Sequence, residues 1–400
     1  MRKIIVNFFR EYNIVIVLFL LIVAATIFVP NFTKPRNLSN LIVSIGTYGI
    51  MVLGLTLVFI VGAIDLSVGF QAATVAVTVV LISNKAGFIA GAVSGLLAGL
   101  LLGYFNGSVV TKLKITPLIA TLATMTAMEG VTLILTNNSS VSLHNDMMNS
   151  LYSLRIAGIR LPVIVFTVIL LAFAFFLRYT QTGINFYITG GNKEAGKLSG
   201  INTDKLIRLA YTLAGLSCGI VGILLASRYN SATYNLAENL DVTAISSCVI
   251  GGVKLMGGKG NMVQALLGVM VIQLINNMLT LLSVYGAIQT LISGLVVVAV
   301  LLTDKFTQFD KAGSPAAPAA RLHPVVPVAP AAPMQRAAPK PPKTANNLQL
   351  LMPLSQRAWP RGRSRLPMNS RHSVTPMAGK RLSMTARAIW QRRPVRLTQS

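Results

Sequence analysis

A carboxylate inside an apolar stretch is the first feature of the sequence that could carry chemistry. Asp65 lies in the segment 62–69, which separates two apolar runs. A carboxylate within a membrane span is costly and usually has a purpose. Asp65 could cap the following helix by accepting backbone N–H groups, or the segment could be a helix break on a substrate path. We favour capping and take Gly62, Asp65, Ser67 and Gly69 as candidate residues near a translocation path.

Patterns that indicate an enzyme are weak in this chain. The segment 251–260 is rich in glycine and lysine, but Val253 stands where a phosphate-binding loop needs its first glycine. Ser217 lies in a Gly-x-Ser-x-Gly pattern, yet the one histidine before residue 311 is His144, in a predicted outer loop. We therefore expect no catalytic residue, no metal site and no cofactor bound by this chain.

The composition favours a membrane protein. The chain has 400 residues, of which 53% are hydrophobic and 11% charged, against roughly a quarter charged in soluble domains. A spanning helix needs about 20 mostly apolar residues. We predict an all-α, polytopic bundle of about ten membrane segments, of which the third and eighth are short: 12–29, 41–62, 70–83, 86–111, 115–136, 161–177, 207–227, 242–253, 261–282 and 285–303.

The distribution of lysine and arginine predicts the orientation of these segments. Cytoplasmic loops are enriched in both residues. With ten crossings, the N-terminus, Lys112 and Lys114, the loop 179–206 and the C-terminal exit all fall on one side. We assign this side, with both termini, to the cytoplasm. Two outer pairs oppose the rule, and they are Lys34 with Arg36 and Arg155 with Arg160.

Two further segments have patterns that predict a role. Glycines spaced four apart lie on one face of the fourth segment and predict close helix packing; they are Gly91, Gly95, Gly99, Gly103 and Gly107. The loop 179–206 is long, charged and predicted to be cytoplasmic. Its residues 193–198 can form a short amphipathic helix between glycine-rich turns, which suits the docking of a partner protein.

Four stretches, in order, resemble the motifs of one family. The segment 62–69 ends in Ile-Asp-Leu-Ser-Val-Gly, and 190–201, 251–260 and 294–304 resemble the later motifs. Together they resemble bacterial ABC transporter permeases of the ribose, xylose, galactoside and autoinducer-2 type. The likeness covers about 12–305. Gln273 departs from it, because a small residue is common there.

The resemblance implies a permease subunit of an ATP-driven importer in the bacterial inner membrane, carrying a monosaccharide or related small polar solute. It implies a second permease chain, the same or related, cytoplasmic ATPase subunits that bind the ATP, and a periplasmic sugar-binding protein. Membrane lipid is a further partner, and no nucleic acid is expected. The family's ATPase-coupling role falls here on Gly190, Gly191, Asn192, Glu194, Ala195, Gly196 and Gly200.

The sequence changes character near residue 310. All ten acidic residues lie before Lys311, whereas 16 of the 35 lysines and arginines lie in 311–400. A segment that is rich in proline, alanine and arginine and lacks acids cannot readily bury a core. We predict a transmembrane permease domain over 1–310 and a basic disordered tail over 311–400, and a changed reading frame is one hypothesis for the tail.

Two other functions fit parts of the sequence. Asp65, between two predicted spans, and Glu129, within one, could serve a proton- or cation-coupled secondary transporter. Ser217 could serve an intramembrane hydrolase. Uptake that needs a proton gradient, but no ATPase, would favour the secondary transporter, and labelling of Ser217 by a serine-reactive probe would favour the hydrolase.

Overall fold

The structure is a computed structural model that describes residues 13–236, 238–292 and 294–295. It is mainly helical. The helices are α1 (Asn13–Phe28), α2 (Pro35–Ile60), α3 (Val68–Lys112), α4 (Pro117–Thr136), α5 (Asp146–Ser150), α6 (Leu161–Tyr179), α7 (Gln181–Gly191), α8 (Lys193–Leu198), α9 (Thr203–Tyr229), α10 (Leu240–Ile250) and α11 (Met262–Leu281). The short strands are β1 (Val141–Ser142), β2 (Arg155–Ile156), β3 (Ile159–Arg160) and β4 (Ser231–Ala232). Residues 286–292 are also helical.

Six of these helices are long and apolar enough to cross a membrane, and they are α2, α3, α4, α6, α9 and α11. Proline stands in the first turn of α2, α4 and α6, where its missing N–H costs nothing and its fixed φ favours a helix start. The prediction of a mainly helical protein with several membrane-spanning helices is confirmed. The number of about ten, and the cytoplasmic termini, stay predictions.

Helix α3 is a hairpin of two arms. A straight helix of 45 residues would extend over about 68 Å, roughly twice the hydrocarbon thickness. The break is at Gly87, whose φ of 86° and ψ of 178° are accessible to glycine and hardly to other residues. The arms 68–86 and 88–112 then pack together, since a Cβ on Gly95 would lie 2.5 Å from Val79 Cγ2. The arms match the predicted segments 70–83 and 86–111.

The second arm of α3 packs against α9 with backbone touching backbone. A Cβ on Gly99 would lie 2.7 Å from Gly219 Cα, and one on Gly103 would lie 2.9 Å from Gly215 Cα. Farther along, a Cβ on Gly107 would lie 2.9 Å from Arg208 Cα. The predicted glycine face, including Gly91 against Ser83, is therefore the face on which α3 meets its neighbours.

Helix α2 is the centre of the bundle. All of its residues from Gly49 to Ile60 are buried, and a helix that is apolar on every side is typical of a protein core. Its last residue, Ile60, lies near α7. The strands β1 and β4 belong to other loops of the bundle and pair with each other. Asn84, at the α3 hairpin, donates to the Ser142 carbonyl at 2.8 Å, so the hairpin belongs to the same end as these strands.

We expect Gly103→Ala to destabilise the protein, because the added methyl group would meet the backbone of α9. Overpacking of this kind costs about 1–3 kcal/mol. The control is Gly130→Ala in α4, where a Cβ would meet nothing within 4 Å and where alanine should stabilise the helix by up to ~1 kcal/mol. Thermal unfolding of the detergent-purified protein measures both, and equal midpoints would contradict the packing.

Candidate functional site

Three sequence motifs meet at one backbone contact, which we call the glycine junction. The Gly258 N–H donates to the Ile60 carbonyl at 3.0 Å. A Cβ on Gly257 would lie 2.6 Å from Gly62 Cα, and one on Gly190 would overlap the Ile60 carbonyl oxygen. The junction thus joins the end of α2, the end of α7 and the loop between α10 and α11, and its glycines are Gly62, Gly190, Gly191, Gly257 and Gly258.

Space, backbone conformation or both require glycine at four of the five junction positions, Gly62, Gly190, Gly257 and Gly258. Gly62, Gly257 and Gly258 have φ values of 78°, 85° and 71°, which side-chain-bearing residues rarely adopt. A Cβ on Gly258 would also lie 2.7 Å from Gly191 Cα. The Tyr187 hydroxyl adds a side-chain link by donating to the Gly260 carbonyl at 2.8 Å, and burial raises the pKa of Tyr187.

The short helix α8 extends from the junction and carries the remaining residues of the predicted coupling segment. Asn192 begins α8 by accepting the Ala195 N–H at 3.0 Å, as N-cap residues do. Lys197 Nζ lies 2.8 Å from Glu194 Oε1 on the exposed face, and this hydrogen bond raises the pKa of Lys197. Helix α8 therefore offers a charged, solvent-exposed surface directly beside the glycine junction.

The two other glycines of the predicted coupling segment have different surroundings. Gly196 is buried, and a Cβ there would lie 3.2 Å from Thr203 Cγ2. Gly200 follows α8 with a φ of 79° and open space around it. Lys193 Nζ pairs with Asp204 Oδ1 at 2.9 Å, which ties the start of α8 to the start of α9.

The signature segment after Gly62 forms a buried polar network. Asp65 accepts the backbone N–H of Ser67 at 2.9 Å and the Gln71 amide at 3.1 Å. The Ser67 hydroxyl donates to Asp65 and accepts amide N–H groups from Gln71 at 2.8 Å and from Asn106 at 2.7 Å. All four side chains are fully buried. The network ties the start of α3 to the second arm of the same helix.

Part of this network was missed by the sequence analysis. Gln71 and Asn106 lie in otherwise apolar helices, and that isolation is the signal that could have marked them. Tyr211 of α9 contributes as well, since its hydroxyl donates to the Ile64 carbonyl at 2.7 Å. Gly69, the last residue of the signature, lies in the first turn of α3 and is buried.

A polar cavity of about 580 Å³ lies away from these motifs, and the sequence analysis did not predict it. Its lining comes from α2, α9, α10, α11 and residues 286–290. Asp65 and Ser67 are not among the lining residues, so the role of the signature in a translocation path stays a prediction. The lining is rich in amides and hydroxyls, and its polar residues are Asn37, Asn40, Ser44, Tyr48, Arg228, Asn239, Thr243, Gln273, Asn276, Asn277, Thr280, Gln289 and Thr290.

The cavity and the glycine junction lie at opposite ends of the same helix. Helix α2 lines the cavity from Asn37 to Tyr48 and reaches the junction at Ile60. From Asn37 to Ile60 the helix rises by about 35 Å, which is close to the thickness of a membrane core. Helices α9 and α11 run in the opposite direction to α2, because their later residues, rather than their earlier ones, line the cavity.

Two features organise the cavity wall. Asn37 and Asn277 exchange amide hydrogen bonds of 3.1 and 2.9 Å, which ties α2 to α11. The Arg228 guanidinium lies 5.9, 5.5 and 5.4 Å from the ring centroids of Tyr48, Tyr152 and Tyr229. At such distances a guanidinium is attracted to the ring face, so the rings fix Arg228 in the wall.

Comparison with known proteins identifies the family. A family model described as the permease component of a branched-chain amino acid transport system matches residues 37–301. The ribose import permease protein of Bacillus subtilis (strain 168) is 36% identical over 294 residues, which is 72% of this chain and 90% of that protein. The chain belongs to this permease family. No solved structure matches the permease.

Two other permeases have similar coverage. The ribose import permease protein of Escherichia coli (strain K12) is 33% identical over 303 residues, which is 74% of this chain and 94% of that protein. The L-arabinose transport system permease protein of the same strain is 32% identical over 299 residues, 74% of this chain and 91% of that protein. The matched part of the permease includes the glycine junction, the Asp65 network and the cavity.

Some predicted features of the permease lie outside the described residues. Nearly all of the fourth motif, 294–304, does so, and so does the basic segment 311–400. That segment also lies beyond the residues that the family model matches. The division of the chain into domains 1–310 and 311–400 therefore stays a prediction.

We expect Gly190→Ala to destabilise the permease and Gly191→Ala to leave its stability nearly unchanged. A Cβ on Gly190 would overlap the Ile60 carbonyl oxygen and lie 2.6 Å from the Gly258 nitrogen, whereas one on Gly191 meets nothing within 4 Å. Overpacking against backbone costs about 1–3 kcal/mol. Thermal unfolding midpoints of the two neighbouring variants provide the comparison. A Gly190→Ala midpoint equal to that of the wild type would contradict the junction geometry.

Proposed function

We propose that this permease is the membrane-spanning subunit of an ATP-driven importer that carries a monosaccharide or a related small polar solute across the bacterial inner membrane. One observation carries the proposal: the match to ribose and arabinose permeases extends over 90% or more of their length. The chain is therefore similar to whole permeases rather than to a single shared motif.

The polar cavity fits such a solute. Sugars present hydroxyl groups that both donate and accept hydrogen bonds, and amide and hydroxyl side chains do the same. The cavity wall has seven asparagine or glutamine residues and a volume of about 580 Å³, within the roughly 300–1,000 Å³ typical of ligand pockets. Gln273 lies in this wall, so its departure from the family pattern bears on which solute is carried.

The proposed topology has about ten crossings with both termini in the cytoplasm. Two clusters support it. The segments at Gly62, Gly190 and Gly258 contact one another, and ten crossings in the predicted orientation assign all three to the cytoplasmic side. Segments assigned to the outer side also meet, because Asn84 bonds Ser142 and β1 pairs with β4. A wrong assignment of any of these crossings would separate segments that are in contact.

The proposed partners occupy the two ends of the bundle. Cytoplasmic ATPase subunits, which bind the ATP, dock on α7 and α8, and their motion reaches α2 through the glycine junction. A periplasmic sugar-binding protein delivers the solute at the cavity end. A second permease chain, the same or related, completes the pathway. The exposed charges of α8 and its direct connection to the junction support this assignment of the coupling segment.

The secondary transporter and the intramembrane hydrolase have less support than the ATP-driven importer. The relatives at 32–36% identity include ribose and arabinose permeases and a probable ABC transporter permease protein of E. coli, so a secondary transporter is not favoured. Glu129 is half-buried in α4, and Asp65 lies within its own network rather than in the cavity wall. The Ser217 hydroxyl donates to the Leu213 carbonyl at 3.1 Å within a helix, as serines in membrane helices commonly do.

We expect proteoliposomes that contain the permease, its ATPase subunits and its binding protein to take up ribose or arabinose only when ATP is present on the ATPase side. Collapse of the proton gradient should leave the initial rate unchanged. Radiolabelled sugar measures uptake, and vesicles that lack the ATPase are the control. Uphill uptake by the permease alone, driven by a proton gradient, would overturn the proposal in favour of the secondary transporter.

We expect Lys197→Cys and Ser139→Cys to be labelled from opposite sides of the membrane, because the proposed topology separates α8 from the loop after α4. In right-side-out vesicles an impermeant maleimide should label Ser139→Cys at once and Lys197→Cys only after permeabilisation. The two native cysteines are buried, so background labelling should be low. Labelling of both sites from the outside would reject the topology.

A further inference from the structure

We propose that Arg228 makes the cavity a charge filter, which contacts the passing solute and admits neutral or anionic solutes while excluding cationic ones. This proposal rests on the proposed function, because it assumes that the cavity lies on the solute path. It adds a second point of selection, in the permease itself, to the selection made by a binding protein.

The position of Arg228 is the first observation. It lies in the last turn of α9, it is part of the cavity wall, and its Nη1 donates to the Tyr48 hydroxyl at 3.3 Å. The planar guanidinium has five N–H donors, and this is the one hydrogen bond that the described residues provide to it. The remaining donors are available to whatever occupies the cavity.

The charge of the cavity is the second observation. Arg228 is the only charged residue among the described residues that line it. Two acidic residues adjoin lining residues along the chain, Glu238 before Asn239 and Asp241 before Val242, and neither is part of the wall. Asp241 accepts backbone N–H groups at the start of α10. The two ion pairs found among the described residues both lie near α8. The positive charge of the cavity is therefore not neutralised by the wall.

The three tyrosines explain how the charge is held in place without a carboxylate. Their ring faces attract the guanidinium and, unlike a carboxylate, leave its net charge intact. Tyr152 is itself anchored to α9, because its backbone N–H donates to Ser227 Oγ at 2.8 Å. Tyr48 comes from α2 and Tyr229 from α9. The arrangement fixes a cation in the wall rather than leaving it on a mobile side chain.

A filter follows from elementary electrostatics. A charge in a partly desolvated site interacts with a second charge several times more strongly than it would in water, so a cationic solute is repelled from the cavity. A neutral sugar accepts hydrogen bonds from the free guanidinium N–H groups through its hydroxyl oxygens, and an acidic sugar gains an ion pair. The predicted order of passage is therefore anionic or neutral solutes ahead of cationic ones.

The test compares solutes of one shape and different charge in proteoliposomes of the complete transporter. The probes are a neutral sugar that the wild type carries, its amino-deoxy analogue and its carboxylate analogue. One preparation of binding protein serves all variants, so that its own preference cancels. We expect Arg228→Gln to raise the uptake of the amino analogue relative to the neutral sugar about tenfold, and Arg228→Lys, which keeps the charge, to leave the ratio low.

The matched control is Arg178→Gln. Arg178 also lies over a tyrosine ring, at 5.6 Å from the Tyr179 centroid, but it is not part of the cavity wall. We expect the Arg178→Gln variant to have the same ratio of amino-analogue uptake to neutral-sugar uptake as the wild type. Thr290→Asp is a second variant that keeps Arg228 and its rings and adds a carboxylate to the wall. It should raise the ratio as Arg228→Gln does, so the test does not depend on the folding of one variant.

Two results would overturn the filter. One is an unchanged ratio in both Arg228→Gln and Thr290→Asp, and the other is an equal fall in the uptake of all three solutes, which indicates a structural role. Failure of the proposed function is distinguishable from either result, because the wild-type transporter would then take up no neutral sugar with ATP.

Discussion

Two backbones can approach within van der Waals contact only where neither carries a side chain in the way, and this constraint governs the arrangement of the permease. It operates twice. Along the second arm of α3 it brings the helix against α9, where Gly99 and Gly103 face Gly215 and Gly219. In a membrane, such close packing replaces the hydrophobic effect as the force between helices. At the glycine junction the same constraint joins segments that are distant in sequence, and there the left-handed φ values also require glycine.

This dependence on glycine explains which features could be predicted from the sequence. The glycine face of α3, the coupling segment and the glycine-rich loop 251–260 were all visible as local patterns. Two separate apolar segments, 70–83 and 86–111, were also predicted, although the break itself lies at Gly87, within the second of them. The cavity could not be predicted in this way. Its wall takes single polar residues from several helices, such as Asn40, Gln273 and Thr290, and each alone has the appearance of an isolated polar residue. Only the tertiary packing brings them together.

The Asp65 network shows a different limit of local reasoning. A carboxylate followed by a helix predicts a cap, and Asp65 does accept one backbone N–H, but that N–H belongs to Ser67, which is itself the N-cap residue of α3, and no side chain caps the helix. However, Ser67 also accepts hydrogen bonds from Gln71 and from Asn106, which lies on the other arm of the hairpin. A buried carboxylate needs several donors to offset its desolvation. The sequence predicts that a buried Asp65 needs hydrogen-bond donors. It does not predict that Asn106 is part of the network, because 41 positions separate Asn106 from Asp65.

Helix α2 connects the cavity to the glycine junction. This helix is buried on all sides in its second half, so it cannot bend or slide without displacing its neighbours. Its early residues form the cavity wall with Arg228 and Asn277, and its last residue accepts the hydrogen bond of Gly258 at the junction. In the proposed arrangement, a displacement of α7 by a docked ATPase would therefore act on the same rigid element that lines the cavity. Coupling between sites requires such an element, whose position both sites can bias. The amide pair of Asn37 and Asn277 is one contact on the cavity side that would have to break for α2 to move relative to α11.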